Sequence, residues 1–165
     1  DALSAARRAA VRETHEEAGL ALSPDELLPF SHWTTPSGLA RRFATWFFVA
    51  RAPAELDVRI DGSEIRDHRW LTPRAALALQ RELALELPPP TFVTLSVLAG
   101  FEALDGVLEH VERATPAVFV PRPRPHPHGV VSQYQGDSAY EGEDLERPGP
   151  RHRLCMFRDG WRYER

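Results

Sequence analysis

The 165-residue chain has no lysine and no asparagine, so every cation other than histidine is an arginine. Arginine counts alone therefore cannot nominate phosphate ligands here. A single cysteine, Cys155, excludes an internal disulfide and a cysteine-based zinc cluster. A reducing compartment, the cytoplasm, is the resulting expectation. No apolar run reaches the roughly 18–20 residues that span a bilayer. Asp1-Ala2-Leu3-Ser4 lacks the basic-then-apolar pattern of a signal peptide. The net charge of -4 and pI of about 6.0 argue against a nucleic-acid coat or a basic membrane-surface protein. Neither nucleic acid nor membrane is expected as a partner, and a homodimer is left open.

What is present suits one ordinary domain with an appended segment. Hydrophobic residues make up 42% of the chain and charged residues 27%, enough for a single core. From Ala2 to Ala18 there is no proline or glycine, and the stretch reads as one helix stopped by Gly19. Ser23-Pro24-Asp25-Glu26 reads as a cap and a short helical turn. Strands are expected at Phe30–Thr35 and Arg42–Arg51, joined by a turn at Pro36-Ser37-Gly38. The second is apolar on both faces, which predicts a central strand. After a turn at Asp61-Gly62-Ser63, His68–Leu71 reads as a strand. Thr72-Pro73 then opens a helix to about Glu86, broken by Pro88-Pro89-Pro90. Thr91 should cap one long helix from Phe92 to about Arg113.

Composition shifts at Thr115, which places a boundary between 1–113 and a proline-rich 114–165. Pro121–Pro127 alternates proline with arginine and histidine, the pattern of an extended polyproline-type spacer. His126 and His128 lack companions at metal-ligand spacing. Arg153–Phe157 and Trp161–Tyr163, around Asp159-Gly160, predict a hairpin. It should fold back on the rest of the chain, because Leu154, Phe157 and Trp161 would otherwise be exposed.

The chemistry concentrates in the first helix. Glu13, Glu16 and Glu17 stand at i, i+3 and i+4 and share one face. Like charges at that spacing repel by roughly 0.2–0.5 kcal/mol per pair. A hard divalent cation, Mg²⁺ or Mn²⁺, would relieve the repulsion and leave coordination positions for phosphate. A bare pattern of this kind is also what a solvated helix face looks like. The surrounding residues favour the metal-binding reading: Arg12 stands before the first glutamate, Gly19 follows Ala18, and an apolar strip of Leu3, Val11 and Ala18 runs beside the acidic arc.

The string Arg12-Glu13-Thr14-His15-Glu16-Glu17-Ala18-Gly19-Leu20 resembles the second half of the Nudix box, R-E-U-x-E-E-x-G-U. Thr14 departs from it, standing at an aliphatic position. The glycine that opens the box would fall before Asp1, and the box's earlier glutamate falls on Ser4. The chain is therefore expected to lack an N-terminal strand or two and the glycine loop.

The resemblance implies an α/β fold, the Nudix α/β/α sandwich with a mixed sheet. It implies Glu16 and Glu17 as principal metal ligands, and Glu13 as a third ligand or an activator of water. Arg12 would orient a carboxylate, and Glu17 would share the catalytic work. Nudix enzymes often draw a further glutamate from a distal loop; Glu64 is the candidate, although a solvated loop carboxylate reads the same way.

Trp33-Thr34-Thr35-Pro36, Arg41–Phe48, Trp70-Leu71-Thr72-Pro73 and Leu87–Thr91 are similar to the coenzyme A diphosphatase branch. That similarity implies coenzyme A or an acyl-coenzyme A as substrate, with ADP-ribose or NADH as the other readings. Ser4 also leaves open a Nudix-fold binding module without catalysis. Arg41 and Arg42 are candidate phosphate contacts, or plain strand-edge charge. Trp33 and Trp46 are adenine stackers or core.

Overall fold

A computed structural model describes residues 1–36, 43–52 and 68–165. Helix α1 (Ala2–Ala18) leads to a single 3-10 turn, Pro24–Glu26, and then to strands β1 (Leu28–Thr34) and β2 (Ala44–Val49). Helices α2 (Pro73–Arg81), α3 (Pro89–Leu98) and α4 (Leu104–Arg113) follow, then strands β3 (Ala117–Phe119), β4 (Arg122–His126), β5 (Gly129–Gln133), β6 (Arg153–Phe157) and β7 (Gly160–Glu164). The fold is α/β: a mixed three-stranded sheet ordered β2-β1-β3 and an antiparallel four-stranded sheet ordered β4-β5-β6-β7. None of its described helices is long and apolar enough to cross a membrane.

The chain divides into two compact units. The first takes in the described residues of Asp1–Ser31, Trp46–Trp70 and Ala103–Pro116, with Leu27, Val107 and Val111 buried. The 3-10 turn packs against α1 in this unit and is held by a reciprocal cap. The Ser23 N–H donates to Glu26 Oε2 at 2.6 Å, and Ser23 Oγ accepts from the Asp25 N–H.

The second unit takes in the described residues of His32–Thr45, Leu71–Glu102 and Ala117–Arg165. Its core holds Val93, Phe92, Val131, Tyr134 and Leu154. Trp33 is buried and stacks on Phe119 with ring centroids 3.9 Å apart, so of its two readings the core one holds. Of the hairpin residues, Leu154 is fully buried, and Trp161 meets the edge of Phe92 at 5.4 Å.

Several local expectations are met. Thr72 caps α2 by accepting from the Ala75 N–H, with Pro73 in the first turn, where a missing donor costs nothing. The hairpin β6-β7 closes at Asp159-Gly160 with Phe157 opposite Gly160.

Others need correction. His68–Leu71 forms no strand; Trp70 is 66% exposed, and the segment only leads into the Thr72 cap. Helix α2 ends at Arg81 and not near Glu86, because Leu83 takes a left-handed φ of 58°. The three prolines start α3 and do not merely end α2: Pro88 is its cap, and Pro89 and Pro90 fill the first turn, ahead of Thr91. The single helix expected from Phe92 to Arg113 is two, parted at Gly100-Phe101, and each buries its own pair, Phe92 with Val93 and Val107 with Val111.

Among the described residues β2 is an end strand, with none of its six residues buried, and not a central one. Pro121–Pro127 is not a free spacer. Its middle pairs with β5 as β4, among the described residues an end strand, in which Pro123 and Pro125 alternate with Arg122, Arg124 and His126. Consecutive strand residues turn their donors to opposite sides, so both donor-less prolines fall on the open edge. The partner β5 begins at Gly129, whose φ is +152°. A side chain there would drive Cβ to 2.2 Å from the Met156 carbonyl oxygen.

Candidate active site on the first helix

Helix α1 is defined at both ends by local chemistry. Asp1 caps it, accepting from the Ser4 N–H at 2.7 Å. Gly19 stops it in a left-handed conformation (φ 68°), donating to the His15 carbonyl while Leu20 reaches back to Thr14. No residue of α1 is fully buried. Thr14, in an aliphatic position of the resembling motif, is half-buried.

Between these ends the acidic residues take the spacing the sequence implies. Arg12 is brought to two of them, 3.5 Å from Glu13 and 3.9 Å from Glu16. The side chains of Arg12, Glu13 and Glu16 are 62%, 59% and 62% exposed, so these are weak, solvent-screened pairs, each worth at most about 1 kcal/mol. Glu17 is half-buried.

No three His, Cys, Asp or Glu side chains among the described residues gather tightly enough to enclose a metal ion. The glutamates line one helix face and do not close a cage. Their donor chemistry still fits a hard divalent cation: carboxylate oxygens, open to water and to a phosphate. The other sequence candidates, Glu64, Arg41 and Arg42, lie outside the described residues, as do the turns at 37–38 and 61–63. The ends of the segment carrying Arg41 and Arg42 are tied together, since the Thr35 N–H donates to the Phe43 carbonyl and the Phe43 N–H to Thr35 Oγ1.

The strongest electrostatic feature that sequence reasoning missed lies in the second unit. Asp137 and Arg153 form a buried bidentate pair. Burial alone would raise the Asp137 pKa. The Arg153 guanidinium and the N–H groups of His152 and Ala139 outweigh it and hold the carboxyl well below its usual range. With both oxygens engaged and no exposed edge, the pair clasps the 134–152 loop to β6 and offers a substrate nothing. Gly136-Asp137-Ser138 reads as an ordinary turn, and a partner sixteen residues on leaves no local signal.

Beside it, His152 Nδ1 lies 2.5 Å from the Gln135 carbonyl oxygen, which fixes Nδ1 as the proton-bearing nitrogen. His126 stacks on Phe157 at 4.7 Å and its Nδ1 accepts from the His128 N–H, so the two histidines serve the β4–β5 turn.

The Nudix domain model matches residues 4–91, more than half of the chain and including the whole acidic face of α1. The acyl-coenzyme A diphosphatase NUDT19 of Xenopus laevis is 32% identical over 132 residues, 72% of this chain and 33% of that protein. The human acyl-coenzyme A diphosphatase NUDT19 is 30% identical over 121 residues, 67% and 31%. The chain thus spans about a third of the length of these relatives. No solved structure matches it. By the extent of the domain match, this chain belongs to the Nudix family.

Proposed function

We propose that this chain carries the catalytic helix of a diphosphate hydrolase acting on a nucleoside diphosphate derivative, coenzyme A or acyl-coenzyme A first. The observation that supports it is the Arg12–Leu20 string, set on an open face of α1 inside the family match. The NUDT19 relatives, named acyl-coenzyme A diphosphatases, favour that substrate over ADP-ribose or NADH.

In this reading Glu13, Glu16 and Glu17 hold Mg²⁺ or Mn²⁺. The ion supplies positive charge against the diphosphate oxygens and acidifies water. Arg12, already beside Glu13 and Glu16, restrains those carboxylates. Glu13, Glu17 or Glu64 takes the proton as water attacks one phosphorus. The bridging P–O bond then breaks and two phosphomonoesters leave. Arg41 and Arg42 contact the phosphates.

The test is product analysis with coenzyme A, an acyl-coenzyme A, ADP-ribose and NADH, each with Mg²⁺ and with Mn²⁺. Adenosine 3′,5′-bisphosphate from the coenzyme A substrates is the expected result. No turnover of any of the four, together with retained binding, would establish the non-catalytic module that Ser4 leaves open.

A further inference from the structure

Among the described residues the four-stranded sheet ends in β4 on one side and β7 on the other, and the two edges are finished differently. In an antiparallel ladder successive residues turn their N–H and C=O groups to opposite sides. The two-residue turn of β6-β7 closes on Phe157 and Gly160, so Gly160, Arg162 and Glu164 bond to β6. The other side of β6 agrees. The Tyr134 N–H donates to the His152 carbonyl and the Arg158 N–H to the His128 carbonyl, so the even-numbered residues of β6 serve β5. Trp161, Tyr163 and Arg165 are thus left to the open side of β7. The outward positions of β4 are Pro123 and Pro125, which have no N–H. Those of β7 all keep theirs, and none donates it to a backbone carbonyl among the described residues.

Space and charge beside this edge indicate what meets it. A cavity of about 340 Å³ is lined by Trp161–Glu164 together with residues of α2 and α3, so the helices leave room along the strand. Arg162 and Glu164 stand on the same side of β7, both reach solvent, and they engage each other only loosely, at 4.0 Å. Consider an antiparallel β7 of a second copy, with Tyr163 opposite Tyr163. Each Arg162 then stands opposite a Glu164, and each Trp161 opposite an Arg165. The outward donors of one strand also meet the outward carbonyls of the other. Sliding either way to the next hydrogen-bonded register sets Arg162 against Arg162 or Glu164 against Glu164, and like charges directly opposite are destabilising. Arg81, the other charged wall of the cavity, belongs to α2 and is not part of that ladder.

We propose that β7 pairs edge to edge with β7 of a second copy, antiparallel about a twofold axis at Tyr163. The interface is isologous and closed: it consumes both β7 edges and leaves a proline-blunted β4 at each end of the joined sheet, so association stops at two. It involves no residue of α1 and stands whether or not the glutamates there are catalytic.

Mass measurement by light scattering tests it, on the parent, Arg162→Glu, Glu164→Arg and Arg162→Glu/Glu164→Arg. At micromolar concentrations and above, the parent should hold the mass of two chains, twice 18.6 kDa, and no more. Each single variant turns both opposed pairs into like-charge pairs and should raise the dissociation constant of the dimer at least about tenfold, lowering the mean mass toward one chain. An equimolar mixture of the two single variants pairs an acidic strand with a basic one, and should regain the mass of two chains. The double variant exchanges the partners within each pair and should do so alone. A parent with the mass of one chain, a single variant as dimeric as the parent, or a mixture no heavier than its components would overturn the proposal.

Discussion

Asp137 and Arg153 are joined by two 2.6 Å bonds, Nε to Oδ2 and Nη2 to Oδ1, in a pair that solvent scarcely reaches. The remaining capacity on both sides is filled. Asp137 also accepts from the backbone N–H groups of Ala139 and His152, and Arg153 Nη1 donates to the Leu145 carbonyl. One pair therefore ties the loop after β5 to the start of β6. Removing one partner strands a buried charge, at a cost of about 3–5 kcal/mol, whereas replacing both avoids that charge and leaves the Ala139 and His152 N–H groups without their acceptor.

The first prediction follows from the titration of this region. The folded pKa of Asp137 lies below its unfolded value of about 3.9. Its contribution is thus full above about pH 4 and is lost as pH falls further. Burial also lowers the pKa of His152, against the opposing Gln135 carbonyl bond. That contribution is full above the unfolded value of about 6.5 and declines below it. Urea midpoints should therefore fall gently below about pH 6.5 and steeply below about pH 4. In Asp137→Leu/Arg153→Met the steep part should vanish while the gentle part stays. A steep loss in both proteins would show that other carboxylates set the acid limit.

Leu83 carries the second prediction. The Leu83 N–H donates to the Gln80 carbonyl and the Ala84 N–H to the Leu79 carbonyl, a helix-ending arrangement that usually has glycine at the left-handed position. Since the side chain is 90% exposed, little packing is lost on its removal. Leu83→Gly should stabilise the protein by about 0.5–1 kcal/mol, the strain relieved less the extra freedom of an unfolded glycine. A thermal scan should show Tm rising by about 1–4 °C, and a fall in Tm would mean that the leucine is held by contacts stronger than its strain.

These features differ in how far they could be read from the sequence. The first helix was legible because its determinants are local: an uninterrupted Ala2–Ala18, the Gly19 stop and carboxylates at helical spacing. The Thr72 cap and the Asp159-Gly160 turn were legible for the same reason. Long-range pairing was not. Nothing near Pro123 announces that β5 lies across from it, so Arg122–His126 passed for a spacer, and β3 and β5 were not foreseen. Apolar composition also misled at the Gly100-Phe101 break, because α3 is apolar on all sides and its periodicity runs into that of α4. The glutamate string was legible as chemistry, but how those carboxylates meet Arg12 needed coordinates.

A third prediction concerns the prolines of β4. Neither Pro123 nor Pro125 can donate a hydrogen bond, and both fall at the outward positions of an end strand. That placement blocks edge-to-edge pairing with another chain. Pro123→Val/Pro125→Val should leave the β4–β5 register intact and restore two outward donors on a β-favouring strand. Light scattering should then report a concentration-dependent rise in mass that the parent does not show. A variant that stays as dispersed as the parent would mean the edge is protected by something other than its prolines.

The last prediction separates a working acidic face from a solvated one, which look alike in sequence. Glu16 is three residues from Glu13, next to Glu17 and 62% exposed, with Arg12 3.9 Å away. Neutralising it in Glu16→Gln removes a like-charge repulsion along the helix, worth roughly 0.2–0.5 kcal/mol, and gives up a screened pair of similar size. Stability should therefore barely move. If the carboxylate is a metal ligand, turnover of the diphosphate substrate should fall about 100-fold or more, through loss of transition-state charge stabilisation. The Mg²⁺ concentration needed for half-maximal rate should rise as well. Arg12→Gln, which leaves every carboxylate in place, should cost only about 10-fold, because it acts by orienting ligands. A Glu16→Gln protein as active as its parent at every Mg²⁺ concentration would return the acidic face of α1 to solvent.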